Sequence, residues 1–283
     1  MFAHYLITRF NLRNSEWNLT KNNETLLNDE WMEDRMYLFE NFCLPSVAAQ
    51  TNKNFTWLLY FDTTTPEKFK KRIEFILSKH TNFKALFIDG MPEFYPKIQE
   101  FIANSSVNFP HIITSRIDND DCLHKNFINE IQNQFSSQNF QAIDVIKGYT
   151  LQIAPNYILG KKEHLFNPFI SLIELNKNPK TVWFSNHAQW KKENRITQIT
   201  HDRLWLSIIH AKNKVNQFDG YGDVKWNDIK INFVVSENLD TLISKEQIPY
   251  SQWKFLSFLN KIKVDFNFLS KKFKKNIGIY KYK

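Results

Sequence analysis

Residues 111–121 read HIITSRIDNDD, an apolar run of strand length that ends directly in three aspartates and an asparagine. Similar strand patterns precede it at 3–8, 56–61 and 83–88. Helical patterns lie between them, at 29–49, in the segment opened by Thr65-Pro66-Glu67, and at 95–102, and Pro45 marks a break or a new first turn. This alternation predicts an α/β fold with a mostly parallel sheet flanked by helices on both faces.

The second half of the chain is less regular, and we expect a helix at 125–135 followed by short elements. Apolar runs at 145–153 and 157–159 predict a hairpin around Pro155-Asn156, and further short apolar runs lie at 169–175 and 181–184. Residues His201–Ile209 predict a short helix, because Leu204, Trp205, Ile208 and Ile209 share one helical face. We expect one main domain at 1–215 and an accessory region with a basic amphipathic tail at 216–283.

The strand ends carry most of the chemistry, since ligands of parallel α/β sheets bind at the carboxyl ends of the strands. Three carboxylates within Asp118–Asp121 repel one another unless a cation lies between them. A hard ion such as Mn²⁺ or Mg²⁺ takes such oxygens together with substrate phosphates, so the segment predicts a metal and diphosphate site. The alternative is a strand-to-helix turn in which Asp and Asn act as caps.

Charge and composition restrict the partners. The net charge is +8, and basic residues alternate with aromatic ones over 254–283. That tail fits either an anionic membrane surface or a packed C-terminal helix with a solvated lysine face. No nucleic-acid-binding fingerprint accompanies the charge. Without a signal peptide or an apolar run of about 18 residues, we expect a cytoplasmic protein, with peripheral contact to the inner membrane as one option.

The chain also resembles a known family over about residues 1–215. The matching segments are TRFN (8–11), RMYLFE (35–40), FCLPSV (42–47), FTWL (55–58), FD (61–62), TP (65–66), TSRIDNDD (114–121), GY (148–149), NPF (167–169), Ser171, Glu174, WL (205–206) and IIH (208–210). Together they resemble the bacterial "putative rhamnosyltransferase" family, a branch of GT-A-like glycosyltransferases.

The resemblance implies roles for individual residues. Asp118 and Asp120 would hold the metal and the donor diphosphate, and Asp121 and His210 would lie close enough to serve as further ligands. Arg9 and Asn11 would line the nucleotide pocket, and Asp62 would meet the base or ribose. From the sequence pattern itself, Arg116 is a candidate second cationic contact to the donor, with a salt-bridge residue as the alternative. Asp202 or Glu174 would be the base that deprotonates an acceptor hydroxyl. His187 and Trp190 would line an acceptor groove, with a place in the core as the alternative for the tryptophan.

The resulting expectation is a metal-dependent glycosyltransferase that acts in bacterial surface polysaccharide assembly, on lipopolysaccharide or capsule. Its partners would be a nucleotide-sugar donor and a saccharide or lipid-linked acceptor. Two alternatives stay open at this point. A nucleotidyltransferase would need a Gly-rich phosphate loop, and Arg9–Arg13 contains no glycine. A non-catalytic carbohydrate- or membrane-binding module with a degenerate site is the other, because fold alone does not establish activity.

Overall fold

A computed structural model describes residues 1–14, 28–212 and 217–280. Its strands are β1 (Phe2–Arg9), β2 (Thr56–Asp62), β3 (Phe83–Ile88), β4 (His111–Arg116), β5 (Cys122–Leu123), β6 (Phe140–Val145), β7 (Lys147–Gln152), β8 (Ile158–Glu163), β9 (Ser171–Leu175), β10 (Ile196–Ile199) and β11 (Trp205–Ile209). Its helices are α1 (Asp29–Leu38), α2 (Leu44–Ala48), α3 (Glu67–Leu77), α4 (Gly90–Ser105), α5 (Phe127–Gln132), α6 (Trp226–Ile229), α7 (Glu237–Glu246) and α8 (Tyr250–Asn276).

The main sheet has seven strands in the order β10-β6-β9-β4-β1-β2-β3. β1 pairs in parallel with both β2 and β4, and β2 pairs in parallel with β3. β9 runs antiparallel to its neighbours β4 and β6. The α/β fold with a mostly parallel, helix-flanked sheet is therefore confirmed, and the carboxyl ends of β1, β2 and β4 meet at one edge as expected.

The helices of the first half follow their apolar spacing. A π-helical turn, Phe39–Cys43, joins α1 to α2, so Pro45 opens a new first turn instead of breaking the chain direction. Pro66 caps α3, whose buried side chains Phe69, Ile73 and Leu77 are spaced by four residues. α4 is longer than predicted and α5 is shorter, and the apolar run at 181–184 lies in a turn.

A second sheet of four strands, in the order β5-β11-β7-β8, packs beside the first. The hairpin prediction is confirmed, since β7 and β8 are antiparallel around Pro155-Asn156. The helix prediction at 201–209 is wrong, because residues 205–209 form β11. All five residues of β11 are buried, so the run has no polar face, and a short apolar run does not distinguish strand from helix by periodicity.

The connection between the two sheets positions the acidic segment. β4 ends at Arg116, and β5 begins at Cys122 and pairs antiparallel with β11. The loop Asp118–Asp121 is thus fixed at both ends, by the main sheet on one side and by β11 on the other. Because β5 and β11 are paired, the loop and the residues that follow β11 are brought together.

α8 is the 27-residue helix that forms the basic C-terminal tail. Its buried residues are Trp253, Ser257, Asn260 and Val264, which recur at helical spacing and face the body of the protein. Within the described ranges, no helix combines the length and the apolar character needed to cross a membrane.

Candidate active site at the β4–β5 loop

The acidic loop lies against the end of β1. The Asn119 side chain donates a hydrogen bond from Nδ2 to the carbonyl of Phe10, at 3.3 Å. Cys43 donates from Sγ to the carbonyl of Asp118, at 3.6 Å. These contacts join the loop to the first strand and to the helix pair α1–α2, and they hold its backbone at the carboxyl edge of the sheet.

Two buried guanidinium groups lie beside Asp118. Arg116 Nη2 is 3.8 Å from Asp118 Oδ1, and the Arg116 guanidinium stacks 3.8 Å from the centroid of the Trp183 ring. Arg9 lies over the same ring, with its Cζ at 5.8 Å. Burial lowers the pKa of Arg9 and that of Arg116, the latter to about 10, while the charge of Asp118 acts in the opposite direction. Both groups therefore remain cationic at neutral pH.

Arg116 has an N–H group that can donate a hydrogen bond to an anion. Among the described residues, Arg116 Nε is buried and meets no hydrogen-bond acceptor. An unpaired buried donor costs free energy, so a phosphate oxygen reaching this position would be stabilised. Trp183, which orients both guanidinium groups, was not singled out from the sequence, because it lies in a short apolar run without motif character.

Asp120 forms the most buried ion pair of the loop. Arg35 Nη1 donates to Asp120 Oδ2 at 2.8 Å, and His210 Nε2 lies 3.1 Å from the same oxygen. Burial acts to raise the pKa of the Asp120 carboxyl, yet Arg35 and His210 lower it to about 2. The structure thus brings the predicted residues Asp120 and His210 together and keeps the carboxylate ionised.

Asp121 is oriented toward β11. Its Oδ1 accepts a hydrogen bond from the backbone N–H of Ile208 at 2.9 Å. Burial, together with the charges of Asp120 and Asp118, raises the pKa of Asp121 well above its usual range. This carboxyl therefore anchors the loop to the second sheet through Oδ1, and its role as a metal ligand stays a prediction.

The chemistry of Asp120 and His210 fits a divalent ion. Two neighbouring ligands of a six-coordinate Mg²⁺ or Mn²⁺, each at about 2.1 Å, are roughly 3 Å apart. The 3.1 Å between Asp120 Oδ2 and His210 Nε2 matches that spacing. Arg35 shares the same carboxylate oxygen, so an ion bound there would compete with its guanidinium. Asp118 lies on the more exposed side of the loop, where a carboxylate could complete the ligand set together with water.

Most of the chain is similar to a known protein family. Residues 3–221 match the model of a family described as putative rhamnosyl transferase. The chain belongs to this family. The resemblance inferred from the sequence segments is confirmed, and the protein is by family a glycosyltransferase. The match contains the whole β4–β5 loop as well as Arg9, Arg35 and His210, and it ends before α6.

The solved structures that align with the chain are distant. TarS 1–349 from S. aureus in complex with UDP-GlcNAc has 10% identity and a TM-score of 0.44, covering 86% of this chain and 70% of that one. Another structure of TarS 1–349 has 10% identity and a TM-score of 0.40, and the alignment covers 73% of this chain and 60% of that one. HddC from Yersinia pseudotuberculosis has 8% identity and a TM-score of 0.34, covering 70% of this chain and 89% of HddC. No curated protein matches the chain.

Asn11 and Asp62 form internal bonds within the wall of the predicted nucleotide pocket. Asp62 accepts hydrogen bonds from Arg13, through the backbone N–H at 2.9 Å and Nε at 2.8 Å, and from the Thr64 backbone and hydroxyl. Burial acts to raise the pKa of Asp62, but these bonds lower it. Asn11 donates to the Thr65 hydroxyl and accepts from the Asp62 backbone. Asn11 and Asp62 therefore stabilise the ends of β1 and β2. The guanidinium of Arg13, which bonds to Asp62, is half-exposed.

The two carboxylates predicted as acceptor bases lie away from the loop. Glu174 pairs with Ile112 at the amino end of β4, roughly 20 Å along the strand from Asp118. Its carboxylate accepts hydrogen bonds from the backbone N–H groups of Lys180 and Thr181, at 2.8 and 2.7 Å. Asp202 precedes the amino end of β11, whereas His210 follows its carboxyl end. The structure thus brings neither carboxylate to Asp120.

Asp202 belongs to a separate surface group. Within residues 1–14, 28–212 and 217–280, one group of three acidic or histidine side chains has its potential metal-binding atoms within 4.8 Å of one another. It consists of Glu130, His201 and Asp202. The side chains of His201 and Asp202 are each 59% exposed. Asp202 does not start a helix, because the predicted helix is the strand β11.

His187 and Trp190 differ in their surroundings. Burial lowers the pKa of His187 to about 4, the charge of Arg116 adds to the effect, and the charge of Asp118 opposes it. Trp190 is fully buried and packs against Phe140 and Phe184. The tryptophan is therefore a core residue, and its ring is not available for stacking on a sugar.

Proposed function

We propose that the chain transfers a hexosyl or deoxyhexosyl group from a nucleotide-sugar donor to a saccharide or lipid-linked saccharide acceptor, with Mn²⁺ or Mg²⁺ as cofactor. One observation supports this above the others. Asp120 and His210, which lie 3.1 Å apart and have the chemistry of cation ligands, are in the same loop region as the two guanidinium groups of Arg9 and Arg116 around Trp183. A nucleoside diphosphate chelated to a divalent ion requires that combination.

The roles follow from the contacts. Arg9 and Arg116 would bind the donor diphosphate through their guanidinium groups, with Arg116 Nε as a donor that no described residue satisfies. Asp118, Asp120 and His210 would hold the ion. A bound Mn²⁺ or Mg²⁺ supplies Lewis-acid stabilisation of the negative charge on the leaving diphosphate. Arg35 keeps Asp120 ionised and orients its carboxylate.

His187 is proposed to contact the acceptor side. With its pKa lowered to about 4, the imidazole is neutral at physiological pH and can accept a hydrogen bond from a sugar hydroxyl. Glu174 and Asp202 are not proposed as the acceptor base, since both lie at the far ends of their strands. Following the family resemblance, we place the reaction in the assembly of a bacterial surface polysaccharide, on the cytoplasmic side of the inner membrane.

The test is thermal unfolding of the purified chain with UDP, GDP, TDP or ADP, each in Mn²⁺ and in EDTA. A ligand at 100 times its Kd stabilises the folded state by about 2.7 kcal/mol. For a chain of this size, that corresponds to a rise in Tm of roughly 5–10 °C. We expect one nucleotide to produce this shift in Mn²⁺ and to lose it in EDTA.

Asp120→Asn is the diagnostic variant, and Asp202→Asn is its matched control at an exposed carboxylate. A neutral amide in place of the Asp120 carboxylate would bind the ion weakly, so the Mn²⁺-dependent shift should disappear, while Asp202→Asn should keep the full shift. If no nucleotide raises the Tm of the wild-type chain, or if EDTA leaves the shift intact, the proposed metal–diphosphate site is wrong. If the shifts are as expected, metal-stimulated hydrolysis of the matching nucleotide sugar would show that the chain cleaves the donor.

A further inference from the structure

α8 presents an apolar surface on the side that faces away from the protein. Its exposed apolar residues include Phe255, Phe258, Ile262, Phe266, Leu269 and Phe273. They recur every three or four residues, so they share one helical face. Phe255 is 72% exposed and Phe266 is 71% exposed. A stripe of this kind along a helix about 40 Å long is larger than the scattered apolar residues that soluble surfaces normally show.

The opposite face fixes the helix to the protein. Ser257 Oγ accepts a hydrogen bond from the backbone N–H of Gly222 at 2.8 Å, and Asn260 donates from Nδ2 to the carbonyl of Gly220 at 2.9 Å. Toward the C-terminal end, Lys271 Nζ donates to the carbonyl of Leu165 at 3.0 Å. These bonds fix the face of α8 that carries Trp253, Ser257, Asn260 and Val264 against the protein, and the apolar stripe on the opposite face is therefore directed outward.

Lysines border the stripe on both sides. At about 100° per residue, Lys254 and Lys272 fall on one border, and Lys263 and Lys274 fall on the other. All four are exposed. α8 contains seven lysines, and Asp265 is its one acidic residue. A second copy of the helix would place these lysine rows against each other, so the charge pattern disfavours self-association and matches an anionic surface.

We propose that α8 is an in-plane membrane anchor that inserts its apolar stripe into the headgroup and acyl boundary of an anionic bilayer. An amphipathic helix lies in that plane when its apolar face carries large side chains and its borders carry lysines. Anionic lipid headgroups attract lysines close to the surface, and the attraction weakens with salt. This inference does not depend on the transferase reaction, because the surface is formed by α8 alone.

One further contact connects the anchor to the candidate site. Lys275 Nζ donates to the carbonyl of Lys191, at 2.7 Å, within the 3₁₀ helix His187–Lys192. That 3₁₀ helix begins at His187, the residue proposed above to contact the acceptor. Binding of α8 to a bilayer would therefore hold the segment proposed for acceptor contact near the membrane surface, where a lipid-linked acceptor is found.

The experiment is vesicle flotation of the full chain. Vesicles of phosphatidylcholine alone are compared with vesicles in which about a third of the lipid is phosphatidylglycerol, at low and at high salt. We expect the wild-type chain to float with the anionic vesicles at least ten times more than with the neutral ones, and to be released by salt. Absence of flotation with the anionic vesicles would overturn the proposal.

Two variants separate the contributions of the stripe and of its borders. Phe266→Ser with Phe273→Ser removes apolar area at exposed positions, and a quadruple Lys→Gln change at Lys254, Lys263, Lys272 and Lys274 removes charge. Each should reduce binding at least tenfold, because insertion and electrostatic attraction contribute independently. The matched controls are Phe75→Ser, at a 66% exposed position on α3, and Lys→Gln at the exposed residues Lys71, Lys79, Lys84 and Lys177.

Circular dichroism and the Tm verify folding of every variant, which is expected because the changed side chains are exposed. Equal loss of flotation in the Phe75→Ser control would overturn the assignment to α8, as would full flotation of the Phe266→Ser, Phe273→Ser variant. A third outcome would also overturn the membrane-anchor proposal. In it the wild-type chain does not float but forms a concentration-dependent dimer in light scattering, and the Phe266→Ser, Phe273→Ser variant does not dimerise. A second copy of the chain would then be the occupant of the stripe.

Discussion

Gly148 of β7 lies directly against the ring of Trp205 in β11, and we expect Gly148→Ala to destabilise the second sheet strongly. A Cβ at position 148 would come within 2.1 Å of Trp205 Cδ2 and 2.3 Å of two further ring atoms. Carbon atoms pack at about 3.5–4.0 Å, so the ring would have to move by well over an ångström.

Trp205 has little freedom to move. The ring is 1% exposed, stacks on Phe169 with a centroid distance of 4.9 Å and an interplanar angle of 8°, and donates from Nε1 to the carbonyl of Val145 at 2.8 Å. Overpacking of a buried site costs about 1–3 kcal/mol. Loss of the buried indole hydrogen bond adds about 1–3 kcal/mol. We therefore expect a loss of about 2–6 kcal/mol in the free energy of unfolding.

Urea denaturation monitored by circular dichroism measures this loss, and a double-mutant cycle identifies its cause. In a Trp205→Leu background the steric conflict is gone, so Gly148→Ala should be nearly neutral there or slightly stabilising. An equal cost of Gly148→Ala in both backgrounds would refute the packing argument, as would a cost below about 1 kcal/mol in the wild-type chain.

Two further predictions concern charges. Arg35→Met removes a competitor for Asp120 Oδ2, so Mn²⁺ should raise the Tm of this variant more than that of the wild type, and equal shifts in a metal titration would contradict the shared oxygen. Burial raises the pKa of Glu174 to about 7, so the folded state loses stability as pH rises from about 4.5 to 7. Glu174→Gln should therefore gain up to about 3 kcal/mol relative to the wild type across that interval, measured by urea denaturation, whereas a pH-independent difference would exclude this carboxyl as the cause.

The second sheet explains why residues far apart in the chain form one site. β11 accepts β5 on one side and β7 on the other, and Asp121 bonds to its backbone at Ile208. His210 follows directly and reaches Asp120 across 90 positions of sequence. A change that weakens the β7–β11 contact, such as Gly148→Ala, should therefore also loosen the position of His210.

The sequence by itself determined the series of strands and helices up to α5, except for the short strand β5, and the location of the acidic loop. In this half each element has its own period of apolar residues, and the turns between them carry Pro, Asp and Asn, so local chemistry fixes the structure. The position of Asp118–Asp121 after β4 followed from the same pattern, because polar residues directly after a buried strand lie at its carboxyl end.

Tertiary structure alone decided the rest of the site. β11 is buried on all sides, so its sequence carries no period, and only pairing with β5 and β7 makes it a strand. Because β9 runs antiparallel to β4, Glu174 lies beside the amino end of β4 and not beside the acidic loop. Asp62 bonds to Arg13, a residue 49 positions earlier in the chain. The contact of Arg116 with Trp183 likewise joins distant segments. Such pairings depend on long-range packing and charge compensation, which leave no periodic signal in the sequence.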